Sequence, residues 1–112
     1  ENIVFDTHFM SRGRLGRLIQ IVTTNPTCFG VGLGEDSGVV FTEREIMEVI
    51  GSGQVIIVDG SAMGHSNIMD IQLGGPIAVE NVTFHSLVKG YGFDFKRRRF
   101  LSPCDIPTKE SL

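Results

Sequence analysis

No apolar run in these 112 residues approaches the roughly 18 consecutive residues of a membrane helix, so no spanning helix is expected. Positive charge is not in excess. Ten lysines and arginines stand against 13 aspartates and glutamates, for a net charge of −3 and a pI near 5.5. Binding to duplex nucleic acid ordinarily leaves a basic face, so nucleic acid is not an expected partner. Cysteine is scarce: Cys28 and Cys104 are the only two. A small secreted scaffold usually carries four or more. A single bridge between them stays open, but reduced, buried thiols in a cytoplasmic protein are the expectation. Tryptophan is absent and prolines number four. No basic-then-apolar leader, internal repeat or low-complexity tract is present. What remains is a folded composition, 41% hydrophobic and 21% charged, of a length that suits one small domain. Its 14 glycines point to tight turns and close backbone approaches.

The chain opens directly on the apolar run Ile3-Val4-Phe5, read as a buried strand, with Asp6-Thr7-His8 at its carboxyl end. A start inside a strand suggests a piece of something longer. Ser11 is placed to cap a helix over 12–24, whose apolar positions Leu15, Leu18, Ile19 and Val22 make one face. Asn25-Pro26 stops it. Cys28 to Leu33 reads as a second strand ended by Gly34-Glu35-Asp36. Short β-branched or aromatic runs follow at 39–42, 47–50, 55–58, 82–88 and 93–95. Gly51-Ser52-Gly53 separates two of them like a hairpin turn. Residues 61–75 read as a loop, and the end from Pro103 as a polar, fraying tail. The expectation is a strand-helix-strand unit followed by a β-rich remainder.

In a parallel α/β sheet, functional groups gather at the carboxyl ends of strands. Here those ends carry Asp6-Thr7-His8 and Glu35-Asp36, one crossover apart. A histidine beside a carboxylate is two members of a nucleophile-base-acid triad, because the carboxylate fixes the tautomer and stabilises imidazolium. A structural histidine near a loop carboxylate fits the spacing equally well. Arg12, Arg14 and Arg17 follow the same strand end, with Arg14 and Arg17 about 60° apart around a helix. Guanidinium groups bind carboxylates bidentately, so the three fit an acidic substrate; a solvated helix face is the alternative. Gly13 and Gly16 among them weaken the helix and suggest close packing or binding there.

A nucleophile is missing. No serine sits in a Gly-x-Ser-x-Gly elbow: Ser61 and Ser52 fail it, as do Ser66 and Ser86. Cys104 lies in the tail, and the first residue is Glu1. His8, His65 and His85 lack zinc-ligand spacing, and no Cys-x-x-Cys occurs, so no metal is expected. The glycines at 30–34 and 51–53 lack the rest of a phosphate-binding fingerprint. Lys96-Arg97-Arg98-Arg99 reads as a solvated edge strand, whose charge prevents sheet-to-sheet pairing.

The stretch from Asp6 to Leu18, Asp-Thr-His-Phe-Met-Ser-Arg-Gly-Arg-Leu-Gly-Arg-Leu, resembles the Asp-Gln-His-Phe-x-x-Arg-Gly-Arg-x-Gly-Arg-Leu stretch of cyanophycinases. These are serine peptidases that degrade the storage polymer cyanophycin. Residues 30–37 look like that family's Gly-Ile-Gly-x-Asp/Gly-Glu-Asp-Thr segment. Residues 49–59 are similar to its Val-x-Gly-x-Gly-x-Val…Val-Asp turn. The likeness is strong over 6–17 and 30–37 and weak over 61–80.

The resemblance implies a three-layer α/β fold, flavodoxin-like and similar to class I glutamine amidotransferases, with a β-rich carboxyl-terminal portion. It implies a Ser-His-Glu triad with His8 as general base and Glu35 as the acid that orients it. Asp6, Thr7, Arg12, Arg14 and Arg17 would line the substrate pocket. Thr7 departs from the family's usual glutamine, which shortens one substrate contact. The serine belongs to an elbow upstream, outside these residues, so residues 1–112 would be the carboxyl-terminal part of a single peptidase domain and inactive alone. The implied partners are cyanophycin or an aspartyl peptide, the remainder of the same domain, and a second copy in a cytoplasmic homodimer; no metal or organic cofactor is implied. The alternatives are a related aspartyl dipeptidase and a non-catalytic homologue serving binding or assembly.

Overall fold

The computed structural model describes residues 2–7, 14–25, 27–42, 45–67 and 76–106, with the backbone alone at 2, 14 and 15. β1 (Asn2–Asp6) leads through α1 (Arg14–Thr24) to β2 (Cys28–Leu33). The two strands are parallel neighbours, Asn2 opposite Cys28 and Asp6 opposite Gly32. Such a pair needs a crossover connection, and α1 supplies it. Leu18 and Val22 are fully buried on one helix face, with Ile19 packed beside them. At the helix end the Asn25 N–H donates to the Ile21 carbonyl at 3.0 Å. Ser11, Arg12 and Pro26 lie outside the described residues.

Side chains on β2 alternate. Phe29 and Val31 point into the main core, while Gly30 faces the helix, where Leu18 and Val22 sit directly on it. A Cβ there would lie 2.8 Å from Leu18 Cγ and 3.0 Å from Val22 Cγ2, so the glycine sets how closely α1 seats.

The chain then forms β3 (Ser37–Phe41), β4 (Ile46–Gly51), β5 (Val55–Asp59), β6 (Thr83–Leu87), β7 (Gly92–Asp94) and β8 (Arg99–Leu101). One sheet has the order β1-β2-β5-β6 and the other β3-β4-β7-β8. The main core lies between them. Phe29, Val31, Val55, Ile57 and Leu87 come from the first sheet, and Met47, Val49 and Phe93 from the second, with Phe95 just after β7. The rings of Phe29, Phe93 and Phe95 meet edge to face, with centroids 4.9–5.8 Å apart. The layers are therefore helix, sheet and sheet. β5 is covered on both sides, Val55 and Ile57 by the second sheet and Ile56 and Val58 by α1, which is why its sequence is continuously apolar. The expected α/β class, strand-helix-strand start and β-rich remainder are all present.

Several local expectations change. Gly51-Ser52-Gly53 is not a hairpin turn, because β4 and β5 lie in different sheets. Leu33 instead pairs with Val55, and residues 34–54 leave the first sheet between them to build the β3–β4 hairpin of the second. Residues 61–67 are not a plain loop: Ser66 bridges Val79 in antiparallel fashion, and the Asn67 side chain binds the Pro76 carbonyl and the Ala78 N–H. The basic run is mostly a turn. Lys96, Arg97 and Arg98 join β7 to β8, Arg98 taking a φ of 54°, and Arg99 opens β8 at the edge of its sheet. Buried Asp94 holds that turn, accepting from the Arg97 N–H at 3.0 Å and its guanidinium at 3.1 Å. Burial pushes the Asp94 carboxyl up, but these bonds, the Arg97 charge and the Lys96 N–H outweigh it and leave it below the usual range. Both cysteines are free; Cys28 is buried, but Cys104 is exposed rather than buried.

Candidate active site

Because β1 and β2 are parallel, their carboxyl ends emerge side by side at one end of the first sheet. An open cleft of about 300 Å³ lies there, lined by Thr7, Leu33, Gly34, Glu35, Asp36 and Ser37. Glu35 and Asp36 form the turn by which the chain leaves β2 for β3. Asp36 has a φ of 58°, a left-handed conformation that aspartate tolerates better than most residues. Glu35 is exposed and lines the cleft.

The sequence-predicted site residues divide as follows. Thr7 and Glu35 come together in the cleft. Asp6 is the last residue of β1, half-buried opposite Gly32. Arg14 is the first residue of α1, and Arg17 is exposed one turn later. His8 and Arg12 lie outside the described residues. Gly16 is exposed, and a Cβ there would meet nothing within 4 Å among the described residues.

The sequence reading missed how the Glu35 turn is held. The chain returning from β4 to β5 crosses the same end of the sandwich and lies against it. Asp36 carbonyl accepts from the Ser52 N–H at 2.9 Å and the Gly53 N–H at 3.1 Å, and the Gly34 N–H donates to Gln54 carbonyl at 2.9 Å. Ser37 Oγ donates to Gly34 carbonyl at 2.6 Å. The only sequence signal was the Gly-x-Gly spacing.

A second polar group, also unforeseen, gathers around the buried carboxylate of Asp59. The Arg98 guanidinium reaches back from the β7–β8 turn to the Asp59 carboxylate at 2.8 Å and lies over the Phe29 ring, 4.6 Å from its centroid. Asp59 also accepts from the Ser61 N–H at 2.9 Å. His85 packs beside Phe93, and burial lowers its pKa despite the opposing Asp59 charge. This group ties β5 to the turn of the opposite sheet. Among the described residues no His, Cys, Asp and Glu cluster is suited to a metal ion, and no helix is long and apolar enough to cross a membrane.

No family model matches the chain. It is 38% identical over 96 residues to a cyanophycinase of Geminocystis herdmanii, covering 86% of this chain and 35% of that protein. A cyanophycinase of Trichormus variabilis is 35% identical over 99 residues, covering 88% of this chain and 33% of its own length. One from Synechococcus elongatus is 29% identical over 106 residues, or 95% of this chain and 33% of that protein. The chain thus spans about a third of the length of the curated relatives it matches. The motifs at both strand ends and a match over most of the chain agree: this chain is a homologue of the cyanophycinases.

Proposed function

We propose that residues 1–112 form the carboxyl-terminal part of a peptidase domain with a flavodoxin-like, class I glutamine amidotransferase-like fold. This domain hydrolyses the aspartate-linked backbone of cyanophycin to β-Asp-Arg dipeptides. It acts through a Ser-His-Glu triad whose serine lies outside these residues. The observation that carries this reading is the shared cleft at the ends of β1 and β2: Glu35 stands in it with Thr7, and His8 is the next residue after Thr7. The curated relatives supply the substrate class.

In this mechanism His8 takes the serine proton as the hydroxyl attacks the scissile carbonyl, then returns it to the leaving amine. Glu35 holds the imidazole in the tautomer that can accept that proton and stabilises the imidazolium that forms. An acyl-enzyme results, and water activated by His8 releases it. Each polymer unit offers an α-carboxylate and a guanidinium. Arg12, Arg14 and Arg17 suit the carboxylates, Asp6 suits the guanidinium, and the Thr7 hydroxyl makes a short polar contact. No metal or organic cofactor takes part. We place the enzyme in the cytoplasm as a homodimer, and the isolated residues 1–112, lacking a nucleophile, as inactive.

Dipeptide release from cyanophycin by the full-length protein tests this. His8→Ala is expected to lower kcat by about 10⁴-fold, as loss of a triad member does. Arg14→Ala should lower kcat/KM by roughly tenfold to a hundredfold, the equivalent of one charge-assisted hydrogen bond. Arg14→Lys should recover only part of that loss, because an ammonium lacks the bidentate fork. Wild-type turnover by His8→Ala would refute the triad, and wild-type kinetics in Arg14→Ala would refute the carboxylate clamp.

A further inference from the structure

Two chain crossings between the sheets lie against each other at the cleft. The outer crossing, residues 34–36, carries Glu35 from β2 to β3. The inner crossing, residues 52–54, returns from β4 to β5. They touch backbone to backbone, with three main-chain hydrogen bonds between them. This approach leaves no room for a side chain. A Cβ on Gly53 would overlap the Glu35 carbonyl oxygen and lie 3.0 Å from Ser37 Cβ. A Cβ on Gly51 would overlap the Asp36 carbonyl oxygen, and Gly51 has a φ of 84°, where L side chains are strained. In both cases the obstacle is backbone, which cannot turn aside as a flexible side chain would.

We propose that Gly51 and Gly53 are positioning residues for Glu35: the paired glycines let the returning chain dock on the 35–36 peptide and fix where the Glu35 carboxylate stands in the cleft. The inference rests on the reading of Glu35 as the triad acid. Any residue larger than glycine at position 53 must push the Glu35 carbonyl away. That rotates the peptide between Glu35 and Asp36, whose left-handed conformation the Ser52 and Gly53 N–H groups hold. The Glu35 side chain moves with its own backbone. Ser37 braces the turn from the other side through Gly34. A misplacement of about 1 Å in a catalytic group costs about a hundredfold in rate.

The test uses the full-length enzyme with cyanophycin. Gly53→Ala is expected to lower kcat by about 10²-fold while KM stays within about twofold. The acid limb of its kcat/KM profile should move to lower pH, because an imidazole that loses its carboxylate protonates less readily. In a Glu35→Gln background, Gly53→Ala should add no further loss, since there is no longer a carboxylate to position. Ser37→Ala removes one hydroxyl brace and adds no atoms, so it keeps the test available should Gly53→Ala fail to fold; a several-fold fall in kcat, absent in the Glu35→Gln background, is expected. Gly38→Ala is the control. Its Cβ would lie 3.4 Å from the Ile50 side chain, an ordinary contact away from the cleft, and wild-type kinetics are expected. Wild-type kcat in Gly53→Ala, or undiminished losses in the Glu35→Gln background, would overturn the proposal while leaving the triad in place. Wild-type kcat in Glu35→Gln would overturn the triad reading, and the proposal with it.

Discussion

Replacing Gly30 with alanine adds one methyl group under α1. That methyl would lie 2.8 Å from both Cγ and Cδ1 of Leu18 and 3.0 Å from Val22 Cγ2. Carbon atoms rest about 3.5–4.0 Å apart, so the helix must lift by roughly half an ångström or more, or Leu18 must leave its rotamer. Neither is easy, because Leu18 and Val22 are fully buried against Ile56 and Val58. Overpacking of this kind costs about 1–3 kcal/mol. Leu18→Ala alone leaves a cavity and costs about 2–5 kcal/mol. Together the two changes should cost less than their sum by about 1 kcal/mol or more, since the added methyl enters the space vacated by leucine. Denaturant unfolding of the full-length protein, followed by far-ultraviolet circular dichroism, measures all three. A cost for Gly30→Ala within about 0.5 kcal/mol, or strict additivity with Leu18→Ala, would refute this account of how the helix is seated.

Arg98→Met takes the guanidinium from buried Asp59, leaving the Ser61 N–H on that carboxylate. Fully buried pairs lose about 3–5 kcal/mol when one partner goes, and because Arg98 is itself 35% exposed we expect about 2 kcal/mol. Adding Asp59→Asn should recover at least half of it by denaturant unfolding; a larger loss in the double variant would contradict the pairing. Asp94 has a folded-state pKa below its ordinary value, so its contribution is present above the unfolded pKa and disappears as pH falls through the folded one. Asp94→Asn should therefore cost stability at pH 7 and flatten the fall in melting temperature below about pH 4. An unchanged slope in a pH series of thermal melts would count against it.

Much of the fold was written in local pattern. The i, i+3, i+4 spacing of Leu15, Leu18, Ile19 and Val22 marked α1, and the run Cys28 to Leu33 marked β2 with both ends correct. Pairing was less legible. Gly51-Ser52-Gly53 has turn chemistry, but whether a turn joins neighbours in one sheet or carries the chain to another depends on what packs across it. Here that is the Glu35–Asp36 backbone, distant in sequence. The edge strand read over Lys96 to Arg99 starts only at Arg99 and runs on to Leu101 as β8, because Lys96 to Arg98 are spent on the turn before it. At the site, Thr7 and Glu35 were placed together by one argument, that parallel strands put their carboxyl ends side by side. The Asp59–Arg98 pair left no such trace, since nothing local in Asp59-Gly60-Ser61 or in the basic run announces a partner across two sheets.

The direct pairing of Leu33 with Val55 makes β3–β4 a hairpin nested inside a larger one. For folding, nesting sets an order of assembly. Closing β2 onto β5 first would tether a free loop spanning residues 34–54. Zipping β3 onto β4 first, through the short connection between Phe41 and Ile46, absorbs most of that loop and leaves only the two crossings free. Each halving of a free loop lowers the entropy of closure by about 0.6 kcal/mol, so building from the inside out favours the second closure by roughly 1 kcal/mol. The inner hairpin is then the natural early structure and β2–β5 pairing the later step. The turn bearing Glu35 acquires its final shape only when the outer ladder closes over it.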